Sequence, residues 1–117
     1  MRFLVKATIP VEAGNALVQD PNFGKRLEGI VSDLKPETVY FAIEGGQRTM
    51  YFVVNIADVS QTPGIAEPLW LSLSADVEFT PIMNQADMAK AAPSIAQAAK
   101  KYGPNGAPTR RRERVAV

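Results

Sequence analysis

A chain of 117 residues, 46% of them hydrophobic, is sized for a single domain that buries roughly two-thirds of its unfolded surface. It has no cysteine and no histidine. That excludes disulfides, thiolate nucleophiles, Cys-ligated zinc and iron–sulfur clusters, and removes histidine as acid–base group, metal ligand or haem ligand. The net charge of +1 is uneven: the last 14 residues, PNGAPTRRRERVAV, carry +3 and leave −2 for residues 1–103. No window approaches the ~18 apolar residues of a membrane span. The start, MRFLVKATIP, lacks the apolar stretch of a signal peptide, so a cytoplasmic protein is expected.

Residues 2–9, RFLVKATI, alternate as a strand does, with Phe3, Val5, Ala7 and Ile9 on one face and Arg2, Leu4, Lys6 and Thr8 on the other. Pro10 ends it. The pattern then turns helical: Leu27, Ile30, Val31 and Leu34 recur at three- and four-residue spacing. Pro21 interrupts, which predicts a short helix near 11–19 and a longer one near 22–34, closed by Lys35-Pro36.

Glu44-Gly45-Gly46-Gln47 suits a two-residue hairpin, because Gly-Gly accepts the positive φ angles such turns need. The resulting register pairs Ile43 with Arg48, Phe41 with Met50, Tyr40 with Tyr51 and Val39 with Phe52. One face then carries Val39, Phe41, Ile43, Met50, Phe52 and Val54; the other carries Tyr40, Ala42, Glu44, Thr49, Tyr51, Val53 and Asn55.

Further on, Ser60 or Thr62 is placed to cap a helix with Pro63 in its first turn. Pro68 is expected to kink this helix, and Leu69, Trp70 and Leu71 give it bulk. Residues 76–82, DVEFTPI, alternate again, and Pro81 confines them to an edge strand. From Asn84 or Asp87 a last helix carries the stripe Met88, Ala92, Ile95, Ala99 and Tyr102. Pro93 is expected to break or kink it, and Gly103-Pro104 stops it.

The fold class is therefore α+β: the ferredoxin-like order β-α-β-β-α-β with an extra C-terminal helix. Right-handed crossovers put the antiparallel strands in the order 4-1-3-2. The domain spans 1–103 and an Arg-rich arm 104–117. Helices are expected over Phe3, Val5, Phe41, Met50, Phe52, Val77 and Phe79. The opposite face, with Leu4, Lys6, Tyr40, Tyr51, Val53 and Ile82, is too apolar for free exposure and points to self-association, as a homodimer or higher homo-oligomer.

In this order of elements and in its sheet-face pattern, residues 1–103 resemble the dimeric α/β-barrel superfamily. Within it, MRFLVKATIPVEAGNA, DLKPETVYF, IAEPLWL and VEFTPIM are most similar to small bacterial proteins without an assigned activity. The resemblance implies two subunits packed sheet to sheet. Superfamily members include cofactor-free monooxygenases, haem-degrading enzymes, isomerases and ligand-binding proteins, and fold does not choose among them. Haem-degrading members use a His ligand, which this chain lacks.

Candidate ligand-binding residues are Tyr40, Tyr51, Trp70, Lys6 and Glu78; the candidate catalytic residues are Tyr51, Asn55 and Trp70. Tyr40 and Tyr51 also fit an ordinary cross-strand aromatic pair, and Trp70 fits core packing. Lys6 and Glu78, on one face of adjacent strands, are an acid–base pair or an interface salt bridge. Arg48 is expected to snorkel to solvent. The RRRER run has charge for phosphate but no interleaved aromatics, which argues against nucleic acid. No metal or cofactor is expected. The function expected is binding of a small, mostly apolar or aromatic ligand, with a cofactor-independent monooxygenase- or isomerase-like enzyme and a structural or regulatory assembly unit as alternatives.

Overall fold

A computed structural model of the protein describes residues 1–104; the Arg-rich run at 110–114 lies outside the described residues. Residues 1–82 form one compact unit, and a second begins at Met83.

In the first unit, β1 (Arg2–Ile9) leads into α1 (Val11–Gln19) and α2 (Phe23–Leu34). Pro10 and Pro21 bound α1: Pro10 holds the extended geometry in front of its first turn, and Pro21 falls in the break before α2. Helix α2 ends where Lys35 turns left-handed, at φ 48°. Strands β2 (Thr38–Glu44) and β3 (Gln47–Asn55) form the hairpin. Its two linking residues, Gly45 and Gly46, have φ of 59° and 76°, the conformations a tight hairpin turn requires and glycine adopts without penalty.

A single 3₁₀ turn, Val59–Gln61, is fixed by a reciprocal cap: the Asp58 carboxylate accepts from the Ser60 N–H and the Gln61 side chain accepts from the Asp58 N–H. It feeds α3 (Thr62–Leu73), followed by β4 (Asp76–Pro81). The expected kink at Pro68 does not break α3, which runs on through it. Ile65, Leu69 and Leu73 are buried on one side and hold the helix where its backbone lacks a donor.

The four strands form one antiparallel sheet in the order β2-β3-β1-β4, which read from the β4 edge is 4-1-3-2. The architecture is α+β and consistent with a ferredoxin-like fold. Val5, Ala7, Met50, Phe52 and Val54 are buried beneath the helices with Leu69 and Leu73, and Phe3 meets Phe79 edge-on at 6.0 Å between ring centroids. The helix cover stops short of the β2 edge. Phe41, expected in this core, is 64% exposed, and Ile43 on the same strand face is 85% exposed. Alternation places them on the correct face, but α2, which packs Leu27, Ile30, Val31 and Leu34 against the core, leaves both uncovered.

In the second unit, α4 (Gln85–Tyr102) starts with a capping box between Asn84 and Asp87. It continues through Pro93, which neither ends nor divides it. Alanine supplies much of the helix and gives it high intrinsic propensity. Met88, Ile95 and Tyr102 are exposed along it. No helix among the described residues is long and apolar enough to cross a membrane.

Gly29 sits inside α2, and a methyl group placed on it meets nothing within 4 Å. Gly29→Ala is expected to stabilise the protein by about 0.5–1 kcal/mol, measured by urea unfolding. Destabilisation would mean that this helix face is already occupied in solution.

Candidate functional site

On the sheet face away from the helices, Lys6 of β1 and Tyr51 of β3 are Cα partners, and Glu44 closes the hairpin two positions beyond Ala42. The Glu44 carboxylate accepts from the Tyr51 hydroxyl through one oxygen and pairs with the Lys6 ammonium through the other. These contacts span the row of Thr8, Thr49 and Ala42, and Thr49 in that row is only 2% exposed. Glu78, expected to be the partner of Lys6, stands 3.9 Å from it. It is the outer member of the group, because the β4 side chain remains largely in solvent whereas Glu44 is drawn in by two donors.

The shared Glu44 carboxylate sets the direction of the shifts at Lys6 and Tyr51. The hydrogen bond to Glu44 raises the Lys6 ammonium above its ordinary value, with the charges of Glu44, Tyr51 and Glu78 adding to it and desolvation opposing. Lys6 and then Tyr51 hold the Glu44 carboxyl below its ordinary value, and donation to Glu44 raises the Tyr51 phenol. At neutral pH the cluster is therefore a charged pair with a protonated phenol. A general acid or base works best with a pKa near the operating pH, and none of the three is shifted in that direction. The arrangement orders side chains on this face and does not activate one of them.

The remaining expected residues are dispersed. Tyr40 is the Cα partner of Tyr51 but is 63% exposed, since the Tyr51 hydroxyl is held at Glu44. Asn55 lies four residues beyond Tyr51, about 13 Å along the strand, where its Oδ1 accepts from the N-terminal ammonium at 3.0 Å. Trp70, on α3, lies on the opposite face of the sheet, half-exposed. One chain therefore does not gather Tyr51, Asn55 and Trp70 around a single substrate. Arg48 does not run free to solvent: it folds over Gly14 and its guanidinium donates to Asn15 Oδ1 at 3.3 Å.

Among the described residues, the helix side carries a groove at each edge of the sheet. The larger, about 700 Å³, runs between α2 and β2 and is lined by Leu27, Val31, Val39 and Phe41, with Lys25, Glu28 and Ser32 among its polar residues. The smaller, about 360 Å³, lies between α3 and β4 and is lined by Trp70, Pro63, Ala66, Val77 and Phe79. Phe41, expected in the core, lines a groove instead. Its position on an edge strand, with nothing beyond it in the sheet, was the available signal. Glu44, which the hairpin register places on the face of Tyr51, is the site residue that residue type alone does not single out.

The sequence matches no protein-family model, and no curated protein matches it at a significant level.

Because the Glu44 carboxyl is held low, its contribution to stability is complete above the ordinary glutamate value, about 4.3, and is lost as pH falls through the lower folded value. Lys6 behaves oppositely: its contribution is present below the ordinary lysine value and is lost as pH rises through the raised one. Glu44→Gln is expected to lower the urea midpoint at neutral pH and to flatten its fall on the acid side. An acid limb as steep as in the parent protein would assign the acid sensitivity elsewhere.

Proposed function

We propose that the protein binds a small, mostly apolar ligand in the groove between α2 and β2. The observation that carries this reading is the open groove itself, walled by Leu27, Val31, Val39 and a Phe41 left 64% exposed. Its volume falls in the range of about 300–1,000 Å³ usual for small-molecule sites. An apolar wall with a few polar groups at its margin, here Lys25, Glu28 and Ser32, is the usual division between affinity and orientation. The groove beside Trp70 is half as large and is the less favoured position.

Self-association through the outer sheet face, as in the dimeric α/β-barrel proteins the sequence resembles, is a second part of the proposal. It is favoured by the exposed Tyr40 beside half-buried Leu4, Tyr51 and Val53. The Glu44-centred network supports it by fixing Lys6 and Tyr51 in one conformation, which reduces the side-chain entropy lost on association.

N-phenyl-1-naphthylamine, an uncharged apolar fluorophore, is the probe for the groove. Its emission is expected to rise on binding, and Phe41→Ser to weaken binding about tenfold or more, from the apolar contact of one large side chain. Trp70→Ala distinguishes the two grooves: it is expected to leave affinity unchanged if the probe sits between α2 and β2, and to weaken it if the probe sits between α3 and β4. Equal affinity in Phe41→Ser removes the α2–β2 assignment. Separately, Val53→Lys, on the outer face, is expected to lower the mass seen by light scattering; an unchanged mass counts against sheet-to-sheet association.

A further inference from the structure

We propose that the free edge of β2 pairs, antiparallel and with Phe41 on the two-fold axis, with the β2 edge of a second copy of this chain, whose Phe41 and Ile43 then close the open side of the α2–β2 groove. The pairing stands by itself; the closing of the groove rests on the ligand-binding reading above.

The hairpin decides which main-chain groups are free. With Glu44 paired to Gln47 at the two-residue turn, Thr38, Tyr40, Ala42 and Glu44 direct their N–H and C=O groups to β3. Val39, Phe41 and Ile43 therefore turn theirs outward, and the same three residues carry their side chains on the helix side. The other edge is different. Ile82 N–H donates to Arg2 C=O at 3.0 Å, so Val77, Phe79 and Pro81 are the outward positions of β4. Pro81 has no N–H to offer, and Asp76 and Glu78 add charge along this strand. Proteins blunt sheet edges with proline and charge. Strand β2, TVYFAIE, has neither, apart from Glu44 at its end.

The β2 sequence also fits itself. With Phe41 on the axis, Val39 stands opposite the partner's Ile43, and all three outward residues become hydrogen-bonded pairs. Thr38 faces the partner's Glu44, and Glu37, just before the strand, is held within its own chain by Val53 C=O and the Arg2 guanidinium, so no carboxylate meets another. Moving the axis to Tyr40 sets Ile43 against the partner's Glu37, and moving it to Ala42 sets Val39 against the partner's Gly45. Moving it half-way, between residues, puts outward groups opposite inward ones and forms no ladder. The self-complementary register is the one in which the apolar residues meet only one another, and it favours a second copy over an unrelated extended peptide.

Antiparallel pairing about an axis normal to the sheet keeps both helix layers on one side. The partner's Ile43 then stands beside Val39, and the partner's Phe41 beside Phe41, at the mouth of the groove. Both side chains are now largely in solvent, and the pairing buries them.

The test uses the full chain, which has no native cysteine. On the axis, the two Phe41 Cα atoms lie about 5.5 Å apart, within the disulfide range of about 4.4–6.8 Å. Phe41→Cys is expected to give a covalent dimer under mild oxidation at micromolar protein, and Glu12→Cys, exposed on α1, to remain uncrosslinked. Ile43→Pro removes an outward N–H that the chain does not use internally. It is expected to roughly halve the mass by light scattering with circular dichroism unchanged, and to weaken N-phenyl-1-naphthylamine binding although Ile43 does not line its own groove. A monomeric parent protein at micromolar concentration, or cross-linking of Phe41→Cys no greater than that of Glu12→Cys, overturns the pairing. A halved mass with unchanged probe affinity overturns the closing of the groove and leaves the pairing standing. Cross-linking without any probe binding removes the ligand reading alone.

Discussion

The Gly45-Gly46 turn is the constraint on which most of the functional surface depends. Two successive residues at positive φ close the hairpin with no slack, and a one-residue slip would exchange the two faces of β2. Because the turn fixes Glu44 opposite Gln47, it delivers the Glu44 carboxylate to Tyr51 and Lys6 on one face. It also delivers Val39 and Phe41 to the α2 groove on the other. Substitution of either glycine would act on both places at once, although neither glycine touches a groove.

The two faces of the sheet solve different problems. On the helix side, burial of Val5, Phe52, Leu69 and Leu73 supplies the hydrophobic driving force, and the helices cover the middle of the sheet more fully than its edges. The grooves are what this incomplete cover leaves. On the other side, the ion pair and the phenol hydrogen bond lie across the row that holds Thr49. Partly exposed ion pairs add little to stability in water. The value of this one lies in holding long side chains in a single arrangement.

Most of the element order was legible in the sequence because proline, glycine and alternation mark it in local terms. Pro10 and Pro21 bound α1, Gly45-Gly46 fixes the hairpin register, and Pro81 falls on an edge strand as its missing donor requires. What was not legible is non-local. That Phe41 and Ile43 lie beyond the reach of α2 depends on where a helix packs across the sheet, which alternation does not encode. The choice of Glu44 over Glu78 as the partner of Lys6 depends on side-chain reach and on Tyr51 arriving at the same carboxylate. Pro68, where a kink is expected, and Pro93, where a break or kink is expected, both lie inside continuous helices, since packing in α3 and alanine-rich propensity in α4 carry the helix past a lost donor. Trp70 was grouped with Tyr51 by residue type, while the sheet separates them.

The proline at the outward position of β4 has a consequence for solubility. A sheet with two open edges can add strands without limit, and association then runs on into fibres. A sheet that can accept a strand on only one side stops after a single addition, because the newly formed assembly presents only blunted edges. Pro81 thus makes growth along this sheet self-terminating, and a chain that left β2 unguarded would depend on that one ring to keep its aggregates finite.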